Sequence, residues 1–338
     1  MKNLVTTSNT GARDSVQPES SSTEERIRYG GQAVLDGVMM RSRKCVATAV
    51  RHPAGHVVVK AEPIVPGRLA RAFRRVPVLR GAAAMWDILV LGMKSLAFSA
   101  EVSVEPEQKP TNGAEPDGDD TEAGGFIWVS LGLGLVLGIA LFFVVPLFLV
   151  RTLDAGIESD FVSNLVEGVI RLAILLAYLS VIGLLPDIRR TFEYHGAEHK
   201  TVNALEAGDE LTVARVMRHS AAHPRCGTNF LLVVVLLSIL VFALLGRPDL
   251  PIRIGSRILL VPVIAGLAFE LIRFLAAHRG NPLVALLLAP GLWLQAITTR
   301  TPTPDQVEVA IIAMGQVLRS EGLATAPAHA DMGLEIRA

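Results

Sequence analysis

The sequence predicts a mainly α-helical integral membrane protein with four to five transmembrane helices and a small N-terminal unit that contains a β-hairpin. Three observations lead to this fold class. The chain of 338 residues is 51% apolar with a mean hydropathy of +0.44, and only 19% of its residues are charged. The stretch 126–150, "FIWVSLGLGLVLGIALFFVVPLFLV", runs for 25 residues without a charge, and a helix of that length spans the ~30 Å hydrocarbon core of a bilayer. Finally, β-rich runs are confined to the first part of the chain.

Four further apolar runs set the predicted number of spans, and they are 172–186, 230–246, 258–272 and 283–297. The run at 230–246 is uncharged and long enough for a span. The last two runs are short, and each contains a helix breaker, in "LLVPVIAGLAFE" and "VALLLAPGLWLQ". These two runs are therefore either two spans or a broken or re-entrant pair.

Composition divides the chain into five segments. The composition of residues 1–28, rich in Ser, Thr and Glu, predicts a disordered tail, and that of residues 104–125 predicts an acidic disordered linker. Residues 29–103 predict a cytoplasmic unit with a hairpin across "HPAG", followed by one amphipathic helix on or partly in the membrane surface, with a span as the alternative. Residues 126–300 predict the transmembrane domain, and 301–338 a cytoplasmic amphipathic helix and tail.

The distribution of Lys and Arg predicts a multi-pass protein of the cell membrane with its N-terminus and its 187–229 loop in the cytoplasm. That loop contains six Lys or Arg, whereas 151–168 has one Arg against four acidic residues. The segment 246–257, with three Arg, falls on the opposite side and goes against this orientation. The bilayer is thus the predicted partner. The formal net charge of zero gives no indication of a nucleic-acid partner, so none is predicted.

The stretch "YHGAEHK", 194–200, contains the candidate chemistry. His195 and His199 are four residues apart and share a helix face. H-x-x-E-H is the inverted zincin signature, in which two histidines bind zinc and the glutamate, here Glu198, is the general base. Two imidazoles on adjacent turns can reach one ion, and the carboxylate can take a proton from metal-bound water. The alternative is a set of polar residues at the membrane edge.

Two other segments supply further candidate ligands. "HPRCG" offers His223 and Cys226, which are competent ligands for a borderline-soft ion, and it precedes the run at 230. Glu270 is an ionisable group in an apolar run and hence a functional candidate, unless it pairs with Arg273 and only anchors the helix end. The predicted cofactor is a divalent metal ion, with zinc the best fit. The predicted ligands are His195, His199, His223, Cys226 and Glu270.

Other candidates are weaker. His219 can join the site or be an exposed helical histidine, and Asp36 is either a ligand or a cap. The two cysteines do not form a disulfide framework, and "MKNLVTTSNTGARDSVQPESSSTEE" lacks the apolar core of a signal peptide.

Five motifs in order resemble the YqhQ-type family of bacterial membrane proteins, and they are "GGQAVLDGVMMRS", "YHGAEHKTVNALE", "HPRCGTNFLL", "AGLAFELIR" and "APGLWLQAITTRTPTPDQVEVAI". The resemblance covers roughly 29–320 apart from the acidic linker. It implies a domain of unknown function with a general prediction of a metal-dependent enzyme, and no substrate. The polar residues of the family's motifs correspond by position to His195, Glu198, His199, His223, Arg225, Cys226 and Glu270 of this sequence.

Three functions remain open from the sequence. The first is a membrane-embedded zinc hydrolase acting on a lipid-linked or membrane substrate, an inference from location alone. The second is a transporter-like protein with broken helices, for which the low span count would require a homo-oligomer. The third is a structural or regulatory membrane protein. Four protein ligands would indicate a structural metal site, and three plus water a catalytic one.

Overall fold

The computed structural model describes residues 29–73, 75–104, 129, 132–153, 156–246, 248–278, 281–323 and 334–337. These residues form ten helices and a five-stranded sheet. Four helices are long and apolar enough to cross a membrane by length and composition, namely Leu79–Val104, Gly132–Leu153, Asp160–Ile182 and Leu250–Leu275. The mainly helical class with a small N-terminal sheet is confirmed. The predicted tail 1–28 lies outside the described residues, as does the predicted linker beyond Val104.

The sheet has the strand order β1-β2-β3-β4-β5, with β1 Gly30–Val34, β2 Gly37–Arg41, β3 Cys45–Arg51, β4 Val57–Pro63 and β5 Leu334–Arg337. The predicted hairpin across "HPAG" is formed by β3 and β4, and Gly55 in its turn has a φ of +93° that favours glycine. The hairpin of β1 and β2 was not predicted, nor was β5, which pairs in parallel with β4.

The helices are α1 Arg68–Phe73, α2 Leu79–Val104, α3 Gly132–Leu153 with a π-helical turn at Ala140–Val144, α4 Asp160–Ile182, α5 Pro186–Ala207, α6 Val213–Val216, α7 Gly227–Ala243, α8 Leu250–Ala277, α9 Pro282–Thr298 and α10 Pro304–Ser320. The apolar run 258–272 lies within α8, which continues through Pro262. The run 283–297 lies within α9, which has 17 residues and contains Pro290.

The sheet is covered on both faces because its side chains alternate. Val38 and Met40 face a core shared with α5 and α10, whereas Val34 and Met39 face a core shared with Val102 of α2. A helix, α10, lies where the C-terminal amphipathic helix was predicted, and its apolar side packs on the protein, with eleven of its residues buried. In place of the one amphipathic helix predicted at the end of the N-terminal unit, the structure has two helices, α1 and α2, and α2 is long and apolar enough to cross a membrane. The second half of α2 packs on the sheet, where Thr48 Oγ1 donates to Ser95 Oγ over 3.1 Å.

The N-terminus of α10 is stabilised by side-chain caps, and a substitution there tests their contribution. The Thr303 side chain accepts from the Gln306 N–H, and the Gln306 side chain accepts from the Thr303 N–H, which together form a capping box. We expect Thr303→Ala to lower the free energy of unfolding by about 1 kcal/mol, because the Gln306 N–H loses the hydroxyl that accepts from it. Thermal unfolding followed by circular dichroism measures this. Thr301→Ala, at an exposed position just outside α10, should leave the midpoint unchanged.

Candidate metal centre

Three of the predicted ligands lie together: His195 and His199 of α5, and Cys226 at the N-terminus of α7. One ligand atom from each lies within 4.8 Å of the other two. The i, i+4 spacing on α5 brings the two imidazole rings to a centroid distance of 4.4 Å. Cys226 is the N-cap of α7, and its sulfur accepts from the Thr228 N–H.

Backbone carbonyls orient both imidazoles. His195 Nδ1 lies 2.9 Å from the Thr298 carbonyl oxygen, and His199 Nδ1 lies 2.5 Å from that of Ala221. Because a carbonyl oxygen only accepts, each neutral ring carries its proton on Nδ1 and keeps its Nε2 lone pair for another partner. His195 Nε2 lies 3.2 Å from Cys226 Sγ. A ring hydrogen-bonded through one nitrogen and open at the other is the arrangement of metal-binding histidines.

Glu198 lies beside these three ligands. Its carboxylate is 5% exposed and approaches His199 Nε2 to 3.4 Å. Burial raises the pKa of Glu198 to about 7, although His195, the Gly31 N–H and Arg225 act in the opposite direction. The sheet reaches Glu198 through Gly31 of β1, where an added Cβ would lie 2.9 Å from Glu198 Cγ and 2.2 Å from the Met39 oxygen. This contact with the sheet holds Glu198 in place next to the ligands.

His223 lies next to the three ligands but outside the group that converges. Its ring centroid is 5.7 Å from that of His199, and its Nε2 is 3.7 Å from Glu206, which pairs with Arg225. Gln295 of α9 fixes the backbone of His223, because its side chain accepts from the His223 N–H over 2.8 Å and donates to the His223 oxygen over 2.9 Å.

The polar residues that support this site were not predicted from the sequence. Gln295 also donates to Asn229 Oδ1 over 2.9 Å, and both side chains are buried. The only signal was an amide in each of two apolar runs, "GLWLQ" and "TNFLL". Glu206 gave no signal, because an acidic residue near a helix end is common.

The structure places Glu270 elsewhere. Its two carboxylate oxygens accept from Arg80 of α2, from Nε over 2.6 Å and from Nη2 over 2.5 Å, and it is not part of the converging group. The sequence predicted a metal contact or, as the alternative, a pair with Arg273, and the ion pair in the structure is with Arg80 of a different helix. Nearby, Val78 has the unusual φ of +67° and its oxygen packs against Gly266. Glu270 thus ties the start of α2 to α8.

These features define a mainly helical protein with four candidate membrane-crossing helices and a His, His, Cys group, of which His199 and Cys226 are buried, beside a carboxylate. Residues 76–320 match the family described as "Protein of unknown function (DUF1385)", and the chain belongs to this family. The chain is also similar to the "Uncharacterized protein YqhQ" of Bacillus subtilis (strain 168), with 34% identity over 300 residues, which is 87% of this chain and 93% of the relative. No solved structure matches the chain. The resemblance to the YqhQ-type family is confirmed.

Proposed function

We propose that the chain is an integral membrane protein with a mononuclear zinc centre formed by His195, His199 and Cys226, and that it is a hydrolase. The membrane part rests on the four apolar helices and on their exposed faces. Leu135 of α3 is 67% exposed and Leu259 of α8 is 76% exposed. Contiguous apolar side chains on long helices are stable in hydrocarbon, where the helix satisfies its own backbone groups.

The observation that carries the metal proposal is the orientation of the two imidazoles. Both Nδ1 atoms are held by carbonyl oxygens, so both Nε2 lone pairs and the Cys226 sulfur are available to one ion. Two nitrogens and one sulfur suit zinc, with bonds of ~2.0 and ~2.3 Å that place tetrahedral ligand atoms ~3.5 Å apart. The separation of 3.2 Å between His195 Nε2 and Cys226 Sγ needs only a small adjustment to reach that geometry.

The number of ligands favours a catalytic centre over a structural one. Three protein ligands converge among the described residues, and a structural zinc site uses four. When bound, the ion would supply Lewis acidity for hydrolysis. Glu198 would take and return a proton near the reacting atoms, because its carboxyl group is buried directly beside the ligand His199.

The location of the centre suggests the class of substrate. It lies where the start of α7 and the end of α9 meet α5, and α7 and α9 are both apolar helices. A centre at the end of apolar helices would meet a substrate that is itself lipid-linked or embedded in the membrane. The bias of Lys and Arg supports a cytoplasmic location for this face.

Metal content is the test of this proposal. We expect the full chain, purified in detergent, to hold about one equivalent of zinc, and His195→Ala and His199→Ala to hold less than about a tenth of that. His219→Ala is the matched control, since His219 lies in the same part of the chain but bonds to Asp209 over 2.8 Å. Elemental analysis of the folded proteins measures this. A wild-type protein without metal, even after reconstitution with zinc, would exclude the proposal.

A second measurement separates a catalytic from a structural centre. X-ray absorption of the zinc-loaded protein should show three protein ligands and one oxygen from water. Glu198→Gln should keep its zinc and lose about 100-fold or more of any hydrolytic activity found on lipid-linked substrates. Four protein ligands, with His223 as the fourth, would identify a structural site instead.

A further inference from the structure

A second buried polar group lies between two candidate membrane-crossing helices. We call it the arginine cluster, and it consists of Arg171 of α4 with Arg253 and Arg257 of α8 around Glu167 of α4. None of these residues is more than 6% exposed. Arg171 Nη2 donates to Glu167 over 2.7 Å, Arg253 Nη2 over 2.8 Å and Arg257 Nη2 over 3.2 Å. Charged groups at this depth are costly and mark functional sites.

The shared partner of the arginines is one carboxylate. Among the residues that the structure describes, three guanidinium groups share the one Glu167 carboxylate. The ring of Phe242 lies 4.4 Å from the Arg257 guanidinium and 5.5 Å from that of Arg171, and the ring face offsets part of the charge. In a low-dielectric interior, a remaining cation is stabilised chiefly by an additional anion.

The hydrogen bonds of the cluster also indicate that an additional anion would be stabilising. Arg257 uses Nε and Nη2 on Glu167 and on Asn164 Oδ1, whereas its buried Nη1 has no hydrogen-bond partner in the described parts of the chain. The amide nitrogen of Asn164 donates to the Gly246 oxygen over 2.9 Å, which turns the Asn164 oxygen towards the arginines. The cluster is thus held in place by acceptors of its own and still presents an N–H donor.

The arginine cluster is separate from the metal centre. Cys226 caps the start of α7, and Gly246, which accepts from Asn164, follows the end of the same helix. A helix of 17 residues is ~25 Å long at 1.5 Å per residue. The two sites therefore lie at opposite ends of α7, and the cluster needs a role of its own.

We propose that the arginine cluster binds one phosphate-type oxyanion, with Arg257 as its central donor. A guanidinium group presents paired N–H donors that match two oxygens of a phosphate, and it stays charged when buried. Glu167 acts as the internal counter-charge that holds the arginines together and competes with the ligand. Inorganic phosphate and the phosphodiester of an anionic lipid share this chemistry.

Binding to the full chain in neutral detergent tests the proposal. The protein is prepared free of phosphate and lipid, and then titrated with inorganic phosphate or with mixed micelles of phosphatidylglycerol or phosphatidylcholine. We expect either phosphate or phosphatidylglycerol to bind and to raise the midpoint of thermal unfolding, with phosphatidylcholine without effect. Binding of phosphate identifies a free oxyanion, and binding of phosphatidylglycerol alone identifies a lipid headgroup. Binding of neither overturns the proposal.

Two variants with opposite expected effects tie the ligand to the cluster. Arg257→Gln should weaken anion binding by about tenfold or more, because the positive charge and the Nη1 donor of Arg257 are lost. Glu167→Gln should strengthen it, because the competing negative charge is gone while the side chain keeps its shape. Arg80→Gln, which removes an arginine paired with Glu270, is the control and should bind as wild type does. Unchanged affinity in both cluster variants contradicts the site, and Glu167→Gln retains this test if Arg257→Gln fails to fold.

Discussion

Glu167→Ala is expected to destabilise the fold by about 3–5 kcal/mol, because it leaves buried arginines without their shared counter-charge. Arg171, Arg253 and Arg257 all donate to this carboxylate, which is 1% exposed. Alanine supplies neither the charge nor an acceptor. Water carries no charge and cannot fully replace them, and the Phe142 oxygen of α3 and the Phe242 ring of α7, which also contact the cluster, supply no negative charge.

The measurement is the midpoint of thermal unfolding in neutral detergent, without phosphate or anionic lipid. We expect it to fall by roughly 10 °C in Glu167→Ala. Glu158→Ala makes the same substitution at an exposed position just before α4, and its midpoint should stay within about 1 °C of wild type. Equal midpoints in the two variants would show that Glu167 does not hold the arginines together.

Local patterns in the sequence were sufficient for several elements. The hairpin of β3 and β4 follows from alternating residues around a turn, and α10 follows from helical spacing after a Thr-Pro start. The pair His195 and His199 was equally accessible, because both belong to one helix whose 3.6-residue period fixes their relative direction. In each case the decisive interactions lie within a few residues along the chain.

Contacts between segments that are distant in the chain could not be predicted from local patterns in the sequence. The sequence offered His223, Cys226 and Glu270 as equal further ligands, and only Cys226 joins the two histidines. The choice depends on the path of the backbone before α7, which Gln295 fixes from 72 residues away. Glu270 depends in the same way on Arg80, which is 190 residues distant in the chain. No spacing rule connects such pairs.

The structure also gives a physical reason for the exception to the charge bias. The segment 246–257 was treated as a loop whose arginines oppose the predicted orientation. Arg253 and Arg257 lie instead within α8, buried against Glu167, and do not belong to an exposed loop. The positive-inside rule counts Lys and Arg in loops near the ends of transmembrane helices, so these two arginines are not counted. The orientation itself stays a prediction.

Gly196→Ala is expected to weaken metal binding without altering any ligand. An added Cβ at Gly196 would lie 2.0 Å from the Arg300 oxygen, and a backbone atom cannot turn aside as a side chain can. The chain after α9 lies flat on α5 here, since the Arg300 N–H donates to the Phe192 oxygen over 2.9 Å. Displacing it moves the Thr298 carbonyl, which holds His195 Nδ1. We expect a loss of about 1–3 kcal/mol in stability from the overpacked contact.

If the proposed zinc centre is correct, Gly196→Ala should also lower zinc affinity by about 10- to 100-fold, the usual effect of losing a group that orients a ligand. Competition with a chelator measures the affinity, and thermal unfolding measures the stability. Gly255→Ala is the matched control, because a Cβ there meets nothing within 4 Å, and it should leave both quantities unchanged or raise stability by up to about 1 kcal/mol. Lower stability with unaltered zinc affinity would mean that the Thr298 carbonyl does not position His195 for the metal.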